Sequence, residues 1–103
     1  MAKDDYFVLA YRVLAYLYGC LKADEAPLAE AVSPDALGIG GGYWRYLMEN
    51  LSGEGYLSGV QAQRCSVLVR GIQITPKGIE YLLENPLMGK AEKALRPFQA
   101  LGA

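Results

Sequence analysis

The hydrophobic period of this chain changes twice, and those changes limit the fold more than any other feature. Up to Leu51 the apolar residues recur at steps of three and four, the spacing of helices that bury one face. Tyr56-Leu57-Ser58-Gly59-Val60, Val67-Leu68-Val69 and Ile72-Gln73-Ile74 then read as strand segments, the last with clean alternation. Thr75-Pro76 restores the helical pattern. Thr75 can accept from a free first-turn amide, and Pro76 suits the first helical position, where no amide hydrogen is needed. A short β-ribbon between helical segments, in 103 residues, predicts one mainly α domain with a small β-hairpin.

The helical parts can be placed. Asp4 or Asp5 is positioned to cap a first helix with two adjoining apolar rows: Phe7, Ala10, Leu14, Leu17 and Leu21, and Tyr6, Leu9, Val13 and Tyr16. So wide a face predicts burial against more than one neighbour. Gly19 marks where this helix loosens. Leu28, Ala29, Ala31 and Val32 form a second segment, and Ser33-Pro34 either interrupts it or starts one more turn through Leu37. Gly38-Ile39-Gly40-Gly41-Gly42 is a breaker. It lacks the Lys-Ser/Thr and the preceding strand of a phosphate-binding loop, so it reads as a turn. Trp44, Leu47, Met48 and Leu51 then make the buried stripe of a third helix, with Gly55 placed for a left-handed cap. The hairpin has an irregular tip and Gly71 as a bulge. Ile79, Leu82 and Leu83 give the next helix its inner face until Asn85-Pro86. Leu87, Met88, Ala91, Ala94, Leu95 and Phe98 mark a last helix over about 87–98, flanked by Lys90, Lys93 and Arg96, with Pro97 ending or kinking it.

Helix, helix, helix, hairpin and one or two C-terminal helices is the plan of a winged helix-turn-helix: a three-helix core carrying a two-stranded wing. The domain is expected to span residues 1–103, with its core over about 4–85. The third helix becomes the element offered to a DNA major groove. Arg45, Tyr46, Glu49 and Asn50 lie opposite its apolar stripe: Arg45 can read guanine, Asn50 adenine, Glu49 a cytosine amine, and Tyr46 sugar or a thymine methyl. Gln61, Gln63, Arg64 and Arg70 of the hairpin can contact phosphates, and Lys77 can hold one in the first turn of the helix after it.

Three stretches extend this reading: Tyr43-Trp44-Arg45-Tyr46-Leu47-Met48-Glu49-Asn50-Leu51, Glu54-Gly55-Tyr56-Leu57-Ser58-Gly59-Val60, and Ile74-Thr75-Pro76-Lys77-Gly78-Ile79-Glu80-Tyr81-Leu82-Leu83-Glu84-Asn85. In that order the chain resembles the YjcQ family, small winged-helix proteins of bacterial and prophage origin. The third stretch is shared more loosely with MarR- and PadR-type regulators. The resemblance implies a winged helix and a DNA-binding, regulatory role. Where such proteins commonly place serine or threonine before the third helix, this chain has Gly40, which implies a weaker cap.

Charge constrains the partner. The net charge is −1, and residues 1–40 carry six acidic against three basic groups while the remainder is weakly positive. A local basic face is therefore required if DNA is bound. The main rival is a protein-contact module, since the fold also serves that purpose. Eight tyrosines against two phenylalanines favour half-buried, contact-making surfaces. A homodimer through Tyr6, Leu9, Val13, Tyr16, Leu95 and Phe98 is expected from the surplus apolar surface of the first and last helices. Without histidine, the commonest general base and metal ligand is missing, so no enzyme, metal or cofactor is expected. Cys20 and Cys65 lack metal-type spacing and read as reduced thiols. The start lacks a signal-peptide layout and no apolar run suits a membrane span, which points to a cytoplasmic protein.

Overall fold

The computed structural model describes the backbone of residues 2–62 and 67–102 and the side chains of residues 2–61 and 71–96. Helix α1 (Tyr6–Lys22) is the element around which the rest is arranged. It contacts α3 (Gly41–Gly53), strand β2 (Val67–Ile74), α4 (Pro76–Glu84) and α5 (Pro86–Gly102). Both of its apolar rows enter one core, and Val8, which belongs to neither row, serves a second. Leu9, Val13, Leu14 and Leu17 meet Leu47, Met48, Leu51, Ile72, Ile74, Leu82 and Met88 in one core, and Val8 meets Ala91 and Leu95 in a smaller one.

The ends of α1 differ from expectation. Asp5 occupies the cap position, but its carboxylate turns outward to accept from the Ala2 amide (2.9 Å), and no side chain caps the helix. The helix does not loosen at Gly19. It ends at Lys22, where Asp24 takes a left-handed φ of 56° and the Glu25 amide reaches back to the Cys20 carbonyl (2.9 Å). Leu21 points away from the core and is 53 % exposed, because Leu17 and Cys20 take the inward positions of the last turns.

The segment between α1 and α3 is two short pieces, a 3₁₀ turn (Ala29–Val32) and α2 (Pro34–Leu37). Ser33 separates them: its hydroxyl accepts from the Ala36 amide (3.2 Å) and Pro34 starts the helix. Helices this short are not stable alone, and side chains from both neighbours hold them. The Arg12 guanidinium of α1 donates to the carbonyls of Leu37 (3.3 Å) and Ala36 (3.1 Å), satisfying acceptors that the end of α2 leaves open. The Trp44 indole of α3 donates to the Val32 carbonyl (2.7 Å). Helix α3 starts from Gly40 without a side-chain cap, buries Leu47, Met48 and Leu51, and stops at Gly53, after which Gly55 takes a left-handed φ of 83°.

The wing is an antiparallel pair, β1 (Leu57–Ala62) with β2, in register Leu57↔Ile74 and Ser58↔Gln73, then Val60↔Val69 through Ala62↔Val67. The register shifts between Ser58 and Val60, opposite the stretch with Gly71 where a bulge was expected, and the tip, expected to be irregular, lies outside the described residues. Gly59 (φ 84°) and Gly71 (φ 63°) supply left-handed backbone that other residues enter only at a cost. This is a winged helix-turn-helix arrangement, mainly helical with a two-stranded hairpin.

Thr75 joins wing to helix. Its hydroxyl accepts from the Gly78 amide (3.1 Å), capping α4, and donates to the Gly55 carbonyl, which ties α4 to the end of α3. Thr75→Ala is expected to lower stability by about 1–2 kcal/mol, a lost cap plus an acceptor left without its donor, whereas Thr75→Ser should retain most of it. Urea unfolding midpoints test this; equal midpoints for Ala and Ser would remove the hydroxyl from the account.

Three expectations are corrected here. The homodimer face is largely spent inside the monomer. Leu9 and Val13 are fully buried and Leu95 is buried, because α1 already packs on four elements of its own chain. Tyr6 and Tyr16 are half-buried with internal partners, the latter accepting from the Leu28 amide (3.0 Å), and the Phe98 side chain lies outside the described residues. The inner line of α4 is Gly78 and Leu82, which turns Leu83 outward. Helix α5 continues past Pro97 to Gly102, so Pro97 does not end it.

Candidate nucleic-acid interface

The solvent side of α3 is set by its buried side. With Leu47, Met48 and Leu51 turned inward, Arg45, Tyr46, Glu49 and Asn50 share the opposite face. They are not idle there. Arg45 Nε donates to Glu49 Oε1 (2.8 Å), an i,i+4 ion pair with both side chains about one-third exposed. Asn50 Nδ2 donates to the Tyr46 carbonyl (2.7 Å). Tyr46 is 60 % exposed and sets its ring edge-on to Tyr6 (centroids 5.9 Å apart). This face of α3 is thus close to electrically neutral and is ordered by its own short-range bonds.

The other candidates divide. Lys77 lies exposed in the first turn of α4 with its ammonium 5.6 Å from the Tyr56 ring. Gln61 is exposed on β1. Gln63, Arg64 and the Arg70 side chain lie outside the described residues, as does Cys65, while Cys20 is a buried free thiol.

The structure also gathers residues that sequence reasoning did not single out as a site. Tyr43 at the start of α3 donates its hydroxyl to the Asp4 carbonyl (2.8 Å), so the N-terminus of α1 lies across the N-terminal end of α3. Burial first, then Asp4 and Asp5, push the Tyr43 phenol above its ordinary value. Those two carboxylates oppose a phosphate at this end of the helix. Tyr56 and Tyr81 stack nearly parallel (4.3 Å, 21°) at the base of the wing. The abundance of tyrosine was the one visible signal for this cluster.

A family model described as YjcQ protein matches residues 11–100. The chain belongs to the YjcQ family. No curated protein and no solved structure matches it. The YjcQ match runs from within α1, through the helix-turn-helix and wing, into α5, so it covers every candidate DNA-contact residue named above. No helix among the described residues of this YjcQ protein is long and apolar enough to cross a membrane.

The tyrosine cluster has a measurable signature. Burial, with Tyr81, Tyr46, Glu54 and Tyr56 nearby, pushes the Tyr6 phenol up to about 12. The folded state therefore holds this proton more tightly than the unfolded chain, whose tyrosines ionise near pH ~10. Its stabilising contribution is complete below about pH 10 and is lost as pH rises toward about 12. Tyr6→Phe is expected to flatten part of that alkaline loss in urea unfolding. An identical pH dependence in the variant would show that Tyr6 does not contribute.

Proposed function

We propose that this YjcQ-family chain is a DNA-binding winged-helix module, a small regulator that works by binding and not by catalysis. The observation that carries the reading is α3: a helix anchored on its inner face, offering Arg45, Tyr46, Glu49 and Asn50 outward and leading into an antiparallel wing. Its chemistry suits a G·C pair. Arg45 can give up one bond to Glu49 for the guanine O6 and N7 acceptors while Glu49 accepts from the cytosine amine. On an unmatched sequence Arg45 stays with Glu49 and the carboxylate faces phosphate unrewarded, which favours selectivity over tight general binding. Lys77 and the wing residues Gln61, Gln63, Arg64 and Arg70 would hold the backbone. A second copy on the same DNA would double these contacts, through a face other than the buried Leu9 and Val13.

The test is a titration of fragmented genomic DNA at low salt, repeated at higher salt. Binding is expected at about 50 mM salt and should weaken at least roughly tenfold by about 200 mM as counterions compete. Arg64→Ala with Arg70→Ala should weaken it further in a protein that still folds; unchanged affinity would clear the wing. Light scattering with and without DNA reads the copy number.

One observation favours a second reading, a protein-contact module. Arg45 and Asn50 are already engaged within α3, and exposed Tyr43 and Tyr46 lie beside them, the tyrosine and arginine composition typical of protein interfaces. No DNA shift at low salt, with the protein folded, would favour this class.

A further inference from the structure

We propose that the cleft between α1 and the α4–α5 corner binds a small organic cation with a flat apolar body. The cleft has a volume of about 540 Å³, within the ~300–1,000 Å³ usual for small-molecule sites. No residue of α3, β1 or β2 lines it, so it stands apart from the DNA-binding reading and does not depend on it.

Its walls are aromatic and aliphatic: Tyr11 and Tyr18 from α1, Leu82 and Leu83 from α4, with Leu83 forming a lip that is 63 % exposed. Two helical glycines open into it, Gly19 from α1 and Gly89 from α5. Glycine inside a helix is less favourable than alanine by ~1 kcal/mol. Neither position has a positive φ, and a side chain added at either would meet nothing within 4 Å. Backbone geometry and neighbours therefore leave both glycines unexplained. Both line the cleft, so leucine at either position tests whether its space is used.

The charges choose the class of occupant. The Lys22 ammonium sits 4.5 Å from the centroid of the Tyr18 ring, so a cation is already drawn onto this wall. Glu84 and Glu92 line the same cleft. Glu92 faces Arg96 at 3.5 Å, whereas Glu84 makes no ion pair among the described residues. A ligand cation can displace the exposed Lys22 ammonium from Tyr18, pair with Glu84 and lay its apolar body along Leu82 and Leu83. An anion would find only Lys22 and would meet two carboxylates.

Thioflavin T, a flat aromatic cation, is a suitable probe, with tetraphenylphosphonium as competitor and 8-anilinonaphthalene-1-sulfonate as an anion of similar size. The full chain, without DNA, is expected to bind thioflavin T saturably at one site and to release it to tetraphenylphosphonium. Glu84→Gln should weaken binding about three- to fivefold and Lys22→Ala should leave it equal or tighter, the range expected of partly exposed ionic and cation–ring contacts. Gly19→Leu and Gly89→Leu should each abolish it while melting no lower than the parent, since each replaces a helical glycine with a stronger helix former. Non-saturable binding, full affinity in both glycine variants, or preference for the anion with loss on Lys22→Ala would each overturn the proposal.

Discussion

Replacing Gly78 with alanine is expected to lower the thermal unfolding midpoint by about 10–20 °C, from about 2–3 kcal/mol of lost stability in a domain of this size. On propensity alone the change should help, because alanine is the better helix residue. Contact decides otherwise. A Cβ on Gly78 would lie 2.3 Å from the Tyr56 carbonyl oxygen and 2.8 Å from Ile74 Cγ1. The first of these is backbone, and that carbonyl already accepts from the Thr75 amide (3.0 Å) where the wing meets α4. Relief would require α4 to lift from the base of the hairpin, disturbing the Thr75 cap and the Leu82 packing together. Gly42→Ala is the control: it lies in α3, an added Cβ would meet nothing within 4 Å, and stability should hold or rise. If Gly78→Ala melts like Gly42→Ala, the close approach of α4 to Tyr56 is wrong.

Trp44→Ala should remove about 3 kcal/mol, the lower end for aromatic truncation because the ring is half-buried. Two losses combine. The ring leaves the core beside Val32 and Leu47, and the Val32 carbonyl loses the indole donor that holds the 3₁₀ turn against α3. Trp44→Phe separates them: it keeps most of the ring and removes only the donor, for an expected loss of about 1–2 kcal/mol. Denaturant unfolding followed by circular dichroism suits both variants, since Trp44 is the chain's single tryptophan and its own fluorescence disappears with it. A Phe variant as stable as the parent would show that the hydrogen bond contributes nothing.

How far the residues announced this structure depends on the range of the interaction concerned. Thr75-Pro76, the Trp44–Leu51 stripe, Gly55 and the bulge at Gly71 are local signals, each resolved within a turn or a strand pair, and each is found where expected. The breadth of α1 was legible, but not whose surface covers it; periodicity cannot distinguish a neighbour in the same chain from a second copy. Leu83 misled for a related reason. The inward position of α4 belongs to Gly78, which has no side chain to register in a hydrophobic pattern. At the candidate interface, Arg45 and Glu49 stand four apart, so their pairing was readable in principle. The meeting of Tyr6, Tyr46, Tyr56 and Tyr81 was not, because it joins distant segments.

The short α2 carries a mechanical consequence. Leu37 seats it in the main core, a fork from Arg12 and the Ser33 cap fix its direction, and Trp44 clasps the preceding 3₁₀ turn at Val32. Polar tethers of this kind are directional: they fix an angle and lapse abruptly once stretched. Helix α2 is thus located by its apolar anchor and given its angle by these bonds.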